Sequence, residues 1–314
     1  MNMLTTYGHG IHAVDSGYAG PVHTAIHVIV ENGRAAVIDT AHNAAVPVLL
    51  AQMEKLGVAP DAVDYVILTH VHLDHAGAAG TLLQRFPEAR LVVHPRGARH
   101  MIAPEKLWAA VREVYGAEYA EQTYGEPIPV AADRVIEAGD GQVLNFSGRD
   151  LLLFDAPGHA KHHLAIRDGR SGHIFSGDTF GLSYRQLDAN GRQFVFPTTS
   201  PSQFDADAMH ATVAKIAEFR PAAVYVTHYS QVRDIPRLAD ELHALIDAHT
   251  EIALNARDAG PERHQRIKDG LAKLIVETAA RQGWALQGEA ALKWFAVDHE
   301  LNAQGLGVWL DNGR

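Results

Sequence analysis

Between Val63 and Phe86 the sequence reads VDYVILTHVHLDHAGAAGTLLQRF. An apolar run of strand type breaks into a loop, then resumes with apolar residues at helical spacing. The same alternation surrounds it. TAIHVIVENGRAAVIDT reads as two strands joined at Asn32 and Gly33, a strong hairpin signal. AAVPVLLAQMEKLG follows with helical periodicity and stops at Gly57, and ARLVVHP is the next strand. Short buried strands alternating with helices imply a layered α/β architecture.

The pattern continues beyond residue 100. PEKLWAAVREVYGAEYAEQ predicts one or two helices whose Trp and Tyr residues pack or form a lid. Residues 135–196 are strand-rich, with a second hairpin turn at RDGRSG. DADAMHATVAKIAEF predicts a helix capped by Asp205. AAVYVTHYS is a strand, and IPRLADELHALIDAHTEIALNA a long helix led in by Asp234 and Pro236. After Arg257 the rhythm changes. Residues 1–257 are expected to form the main domain. Residues 258–314 would be an extension packed on it, with the amphipathic helix PERHQRIKDGLAKLIVETAARQG and a final strand, LNAQGLGVWL.

Composition removes several functions. The chain has no cysteine, so disulfides, thiolate metal sites and cysteine nucleophiles are excluded. A formal charge of −10, with no cluster of Lys and Arg, argues against nucleic acid as a partner. No apolar run is long enough for a membrane span, and the N-terminus lacks the pattern of a signal peptide, so the cytoplasm is the expected compartment.

The loop at the end of VDYVIL holds His70, His72, Asp74 and His75. The chain has 20 histidines in 314 residues, yet this spacing would arise by chance roughly once in a few hundred chains so rich in histidine. Loops at the carboxyl ends of strands are where layered α/β folds place ligands. Three further strands deliver a metal-ligand type at the same end: DLLLFDAPGHA gives His159, HIFSGDTF gives Asp178 and AVYVTHYS gives His228. Four strand ends meeting on one rim would make a single metal site.

HxHxDH followed by PGH, SGD and a late strand-final TH resembles the metallo-β-lactamase superfamily over roughly residues 8–250. The resemblance implies an αββα sandwich, two β-sheets face to face with helices outside. It also implies that His70, His72 and His159 hold one metal, that Asp74, His75 and His228 hold a second, and that Asp178 bridges them. Asp39, in VIDT, matches the acid that braces the first metal loop. Two divalent ions are implied, zinc first and iron or manganese next, since imidazole and carboxylate suit all three.

Such a site points to a dinuclear hydrolase that uses a metal-bridging hydroxide on a small ester, thioester or lactone, a substrate with anionic or carbonyl oxygen. Asp74 could also steady the nucleophile or leaving group. Two alternatives share the fold: a mononuclear-iron dioxygenase of sulfur substrates, and a compact endoribonuclease or phosphodiesterase. His163, in GHAKHHLAI, is a candidate brace for the ligands. Tyr184, in GLSYRQLD, is a candidate oxyanion donor, with packing as the plainer role. His23 and His27 stand where relatives often carry an Asn. His23 could face the pocket mouth, and a surface role is the plainer reading. Tyr229 is expected to pack. TTSPSQF, residues 198–204, is expected to be a loop bordering the pocket. The extension could cap the sandwich, wall the cleft or mediate a homodimer.

Overall fold

The computed structural model describes residues 3–199 and 203–313. The chain divides into two compact units. The first comprises Met1–Asp155, His162–Gly177 and Thr227–Ser230, and the second Ala156–Lys161, Asp178–Val226 and Gln231–Arg314.

The first unit opens with strands β1 (Leu4–Thr6), β2 (Ile11–Asp15), β3 (Ala25–Glu31) and β4 (Arg34–Ile38), paired antiparallel in sequence order. Asn32 and Gly33 join β3 to β4 with φ of 49° and 78°. These are the left-handed values that let a two-residue turn follow the twist of its strands. Helix α1 (Val46–Lys55) then crosses to β5 (Val63–Ile67), which lies parallel to β4. Helices α2 (Leu73–Ala76) and α3 (Ala79–Arg85) lead to β6 (Arg90–Val93). Helices α4 (Pro95–Ile102), α5 (Glu105–Tyr115) and α6 (Ala117–Thr123) lead to β7 (Val135–Glu137), and both strands continue the parallel half of the sheet. The helix α4 starts where His94 accepts a hydrogen bond from the Arg96 amide, a cap that the strand reading of ARLVVHP did not include.

One cluster holds this half together. Val46, Leu49 and Met53 of α1 and Leu82 and Leu83 of α3 pack with Val37, Val66 and Leu91 of the strands. Full burial of each such side chain contributes about 1.5–3 kcal/mol. The second sheet of this unit is an antiparallel run of β8 (Val143–Phe146), β9 (Arg149–Asp155), β10 (Leu164–Asp168) and β11 (Ile174–Gly177). The Arg149 guanidinium grips Asp168 through two 2.6 Å contacts, and both side chains are almost fully buried.

The second unit carries α7 (Ala206–Glu218), β12 (Val224–Val226), most of β13 (Ser230–Val232), and then α8 (Ile235–Ala256), α9 (Arg263–Gln282), α10 (Gly288–Trp294) and α11 (Ala296–Asp311). Asp205 caps α7 by accepting from the Ala208 amide at 3.1 Å. An aromatic core joins Tyr184, Phe194 and Phe196 to Trp284 and Phe295.

LNAQGLGVWL is not a strand. It lies within α11, which buries Asn302, Ala303, Gly305, Leu306, Trp309 and Leu310 at helical spacing. Two of those six positions are Asn and Gly, so the apolar pattern alone conceals the period. Asn302 repays its burial with hydrogen bonds to the Thr199 amide at 2.7 Å and the Pro197 carbonyl at 3.1 Å.

Candidate metal centre

In the first unit, β5 ends in a loop that must place His70, His72, Asp74 and His75 on one side. Asp39, just after the neighbouring parallel strand β4, organises it. The Asp39 amide bonds the Ile67 carbonyl at 2.9 Å, and its carboxylate turns into the loop. There it accepts from the Thr69 amide at 2.8 Å, the Thr69 hydroxyl at 2.9 Å, His75 Nδ1 at 2.9 Å and the Thr227 hydroxyl at 2.9 Å. Asp39 is 1% exposed. One buried carboxylate thus ties the first loop to the segment that carries His228.

These contacts settle which ring nitrogen faces inward. A carboxylate only accepts, so His75 Nδ1 carries the proton and Nε2 keeps its lone pair. The Thr69 hydroxyl donates to Asp39 and so accepts from His70 Nδ1, 3.1 Å away. His70 Nε2 then lies 3.0 Å from His72 Nδ1. His228 Nδ1 pairs with Thr24 Oγ1 at 2.9 Å. The Nε2 atoms of His75 and His228 stand 3.6 Å and 3.4 Å from the same Asp74 oxygen. Asp74, His75 and His228 each offer a ligand atom, all within 4.8 Å of one another.

Behind this cluster, His163 is buried and stacks on His70, with ring centroids 4.8 Å apart. Gly177 leaves the room that His163 and Thr69 occupy. It has φ +51°, and a Cβ there would lie 2.5 Å from His163 Nε2 and 2.7 Å from Thr69 Oγ1. His23 meets His228 edge-on at 5.4 Å. His27 is buried, bonding Ser230 at 3.1 Å and packing on Phe175, and burial pushes its pKa down to about 4. Tyr229 packs with Ala13 and Ala25.

In the second unit, His159 and Asp178 form a buried pair, with Nε2 to Oδ2 at 3.6 Å. His159 Nδ1 donates to the Thr198 carbonyl at 3.2 Å, so Nε2 again carries the lone pair that faces the carboxylate. The Thr198 hydroxyl donates to the Asp178 carbonyl at 3.2 Å and holds the two loops in register. Tyr184 is buried, and its hydroxyl donates to Asp298 of α11 at 3.1 Å. Residues 200–202 of the 198–204 loop lie outside the described residues.

The donor chemistry fits divalent cations. Imidazole lone pairs and carboxylate oxygens meet at Asp74 and again at Asp178, and these are the donor types that zinc, iron and manganese take.

Sequence reasoning missed Tyr18 and Tyr124 near Asp74, whereas Tyr115 lies in the segment whose aromatic residues were expected to pack or form a lid. The ring of Tyr18 stacks on Tyr124 at 5.8 Å and meets His42 edge-on at 5.4 Å. Burial, then the Asp74 carboxylate, raises the pKa of Tyr18, Tyr115 and Tyr124 above the ordinary phenol value. The only local signal was the aromatic content of α5 and α6.

The sequence profile of the metallo-beta-lactamase superfamily matches residues 19–228. The chain belongs to that superfamily. Its members are mostly metal-dependent hydrolases that bind divalent metals, typically two. Two sheets flanked by helices, with further helices at the C-terminus, are the αββα sandwich of this superfamily. A metallo-beta-lactamase fold-containing protein of Sulfurisphaera tokodaii is 27% identical over 204 residues, covering 64% of this chain and 72% of that one. A crystal structure of an archaeal superfamily protein from Sulfolobus tokodaii aligns with TM-score 0.62 at 25% identity, over 77% of this chain and 87% of the other. A hydroxyacylglutathione hydrolase of Xanthomonas campestris is 30% identical over 180 residues, 57% of this chain. The match spans about half the length of that relative, 52%. A metallo-beta-lactamase family protein of Thermus thermophilus shares the fold, with TM-score 0.65 at 20% identity over 96% of this chain and 93% of the other. No described helix is long and apolar enough to cross a membrane.

Proposed function

We propose that this chain is a dinuclear metal-dependent hydrolase of small ester, thioester or lactone substrates. His70, His72 and His159 would hold one ion, Asp74, His75 and His228 the other, and Asp178 would reach both. Zinc is the first candidate, with iron or manganese next. The observation that carries the reading is the convergence of Asp74, His75 and His228 on one point, with the His75 tautomer fixed by Asp39. When bound, such ions supply a water acidic enough to act as nucleophile near neutral pH and a Lewis acid for the substrate's carbonyl oxygen.

The protein's own part is positional. Asp39, Thr24 and Thr198 each fix one imidazole from behind, so the ligands need little reorganisation. Asp74 keeps 24% of its side chain exposed, unlike the buried histidines beside it, which lets it meet substrate as well as hold metal.

Elemental analysis of protein made without added metal tests the reading. Two zinc, iron or manganese ions per chain, with turnover of an ester, thioester or lactone panel, support it. One iron per chain with oxygen uptake would replace it with the dioxygenase alternative. Asp178→Ala should lose metal and activity together, and full activity in that variant would overturn the ligand assignment.

A further inference from the structure

His159 depends on residues 197–199, a stretch of the second unit with no regular secondary structure. Thr198 offers the His159 Nδ1 two acceptors, its carbonyl at 3.2 Å and its hydroxyl at 2.9 Å. The hydroxyl gives its own hydrogen to the Asp178 carbonyl at 3.2 Å, so toward the imidazole it can only accept. One threonine therefore sets the tautomer of His159 and ties that ligand to the Asp178 loop.

A buried segment outside any helix or sheet must still find partners for its backbone. On one side of Thr198 the pairing is local: Leu182 and Phe196 exchange two backbone hydrogen bonds of 2.9 Å. On the other side the partners come from α11, about a hundred residues further along the chain. The Asn302 side chain accepts from the Thr199 amide at 2.7 Å and donates to the Pro197 carbonyl at 3.1 Å. The Asn302 backbone carbonyl accepts from the Thr199 hydroxyl at 2.9 Å. These bonds fix both neighbours of Thr198. Asn302 and Thr199 are buried, so each bond lost would leave a polar group stranded away from water. One helical turn earlier, on the same face of α11, Asp298 accepts from the Tyr184 hydroxyl at 3.1 Å and holds the chain that leaves Asp178. Thus α11 fastens the segments that follow Asp178 and that flank the grip on His159.

We propose that Asn302 is a positioning residue for the His159 half of the metal centre, acting through Thr198, and that α11 belongs to the centre as well as to the fold. The inference rests on the proposed ligand role of His159 and not on which bond is cleaved. Asp74, His75 and His228 are braced separately, by Asp39 and Thr24. Loss of Asn302 should therefore weaken one ion and spare the other.

Titration of the zinc-loaded protein with a chromophoric chelator reads the ions as successive losses, and His159→Ala identifies the loss that belongs to His159. Asn302→Leu keeps a similar volume and removes both side-chain bonds. It should weaken the His159 step about 10–100-fold and leave the other within about twofold. Thr199→Val, which removes only the hydroxyl bond, should weaken the same step about threefold. Leu306→Ala is the control, a buried apolar cut in the same helix that spares the Thr198 contacts. It should lower the urea midpoint and leave both steps within about twofold. Nitrogen NMR of the metal-free protein, at a pH where histidine is neutral, gives a reading that needs neither ion nor turnover. His159 should be the Nδ1–H tautomer in the wild type and in Leu306→Ala, and a mixture in Asn302→Leu. A His159 step unchanged in Asn302→Leu overturns the proposal. So does a step weakened equally by Leu306→Ala, which would make Asn302 a staple of the fold alone. Should Asn302→Leu fail to fold, Thr199→Val decides on the same terms. If the wild-type protein holds one ion, or turns over no ester, thioester or lactone, the hydrolase reading falls and the His159 step still judges Asn302. If no ion binds at His159, the tautomer decides.

Discussion

Asp39→Asn isolates the role of a side chain that touches neither substrate nor metal in the proposed site. The change keeps shape and volume and replaces one acceptor oxygen with an NH2 donor. Turned one way, the new donor faces His75 Nδ1–H and the Thr227 hydroxyl. Turned the other way, it faces the Thr69 amide. The hydroxyls can rotate and accept, His75 can accept only by moving its proton to Nε2 and so losing the lone pair that faces the site, and the Thr69 amide cannot accept at all. At least one buried hydrogen bond to a charged group is therefore lost in either orientation, which costs about 1.5–3 kcal/mol. If the Asn settles with its NH2 away from the amide, His75 loses the partner that fixes its tautomer, and metal affinity should fall about 10–100-fold. Urea unfolding of the metal-free protein measures the first quantity, and competition with a chromophoric chelator measures the second. Asp39→Ala removes both oxygens and so does not depend on the orientation; if it too holds its metal within twofold of wild type, the argument that Asp39 presents His75 to the site is refuted.

Other consequences are open to measurement. Gly177→Ala would press a methyl against His163 and the Thr69 hydroxyl at a left-handed φ, so it should destabilise the fold by about 2–4 kcal/mol and weaken metal binding, read by the same two assays. Burial pushes the Asp188 carboxyl up to about 6, against the pull of Arg185. A raised carboxyl pKa destabilises the fold above that pH and ceases to do so once the group is protonated in both states. Asp188→Asn should therefore stabilise the protein at pH 8 by on the order of 2 kcal/mol, with the gain gone near pH 4. Arg149→Met would strand the buried Asp168 carboxylate, which Arg149 and Ser171 hold below its ordinary value. A loss of about 3–5 kcal/mol is expected at pH 7, shrinking below about pH 4 as Asp168 protonates; a loss independent of pH would show that the charge is not the cause.

Much of the architecture was legible because its signals are local. A two-residue turn, a strand of five apolar residues and a helix with a capping Asp205 each depend on neighbours in sequence. The same holds for His70, His72, Asp74 and His75, whose spacing on one strand-end loop limits where their side chains can point. His159, Asp178 and His228 were legible as ligand types at strand ends, but Asp39 entered only through the family pattern, because nothing within ten residues of Asp39 reveals that it will accept from Thr69, His75 and Thr227 at once. The C-terminal stretch misled for a related reason. Its buried face includes Asn302 and Gly305, and the partners that make an Asn acceptable there, Thr199 and Pro197, lie about a hundred residues away. The apolar residues left over fitted a strand as well as a helix.

What the sequence determined by itself was therefore the layered α/β class and the chemistry of the donors, set by residue type and short-range periodicity. Tertiary structure alone decided which nitrogen each histidine turns inward, that the Tyr184 hydroxyl is engaged by Asp298, and that Tyr18 meets Tyr124 across 106 positions of chain. Those outcomes depend on hydrogen bonds between distant segments, and a bond of that kind leaves no mark in the local pattern of either partner.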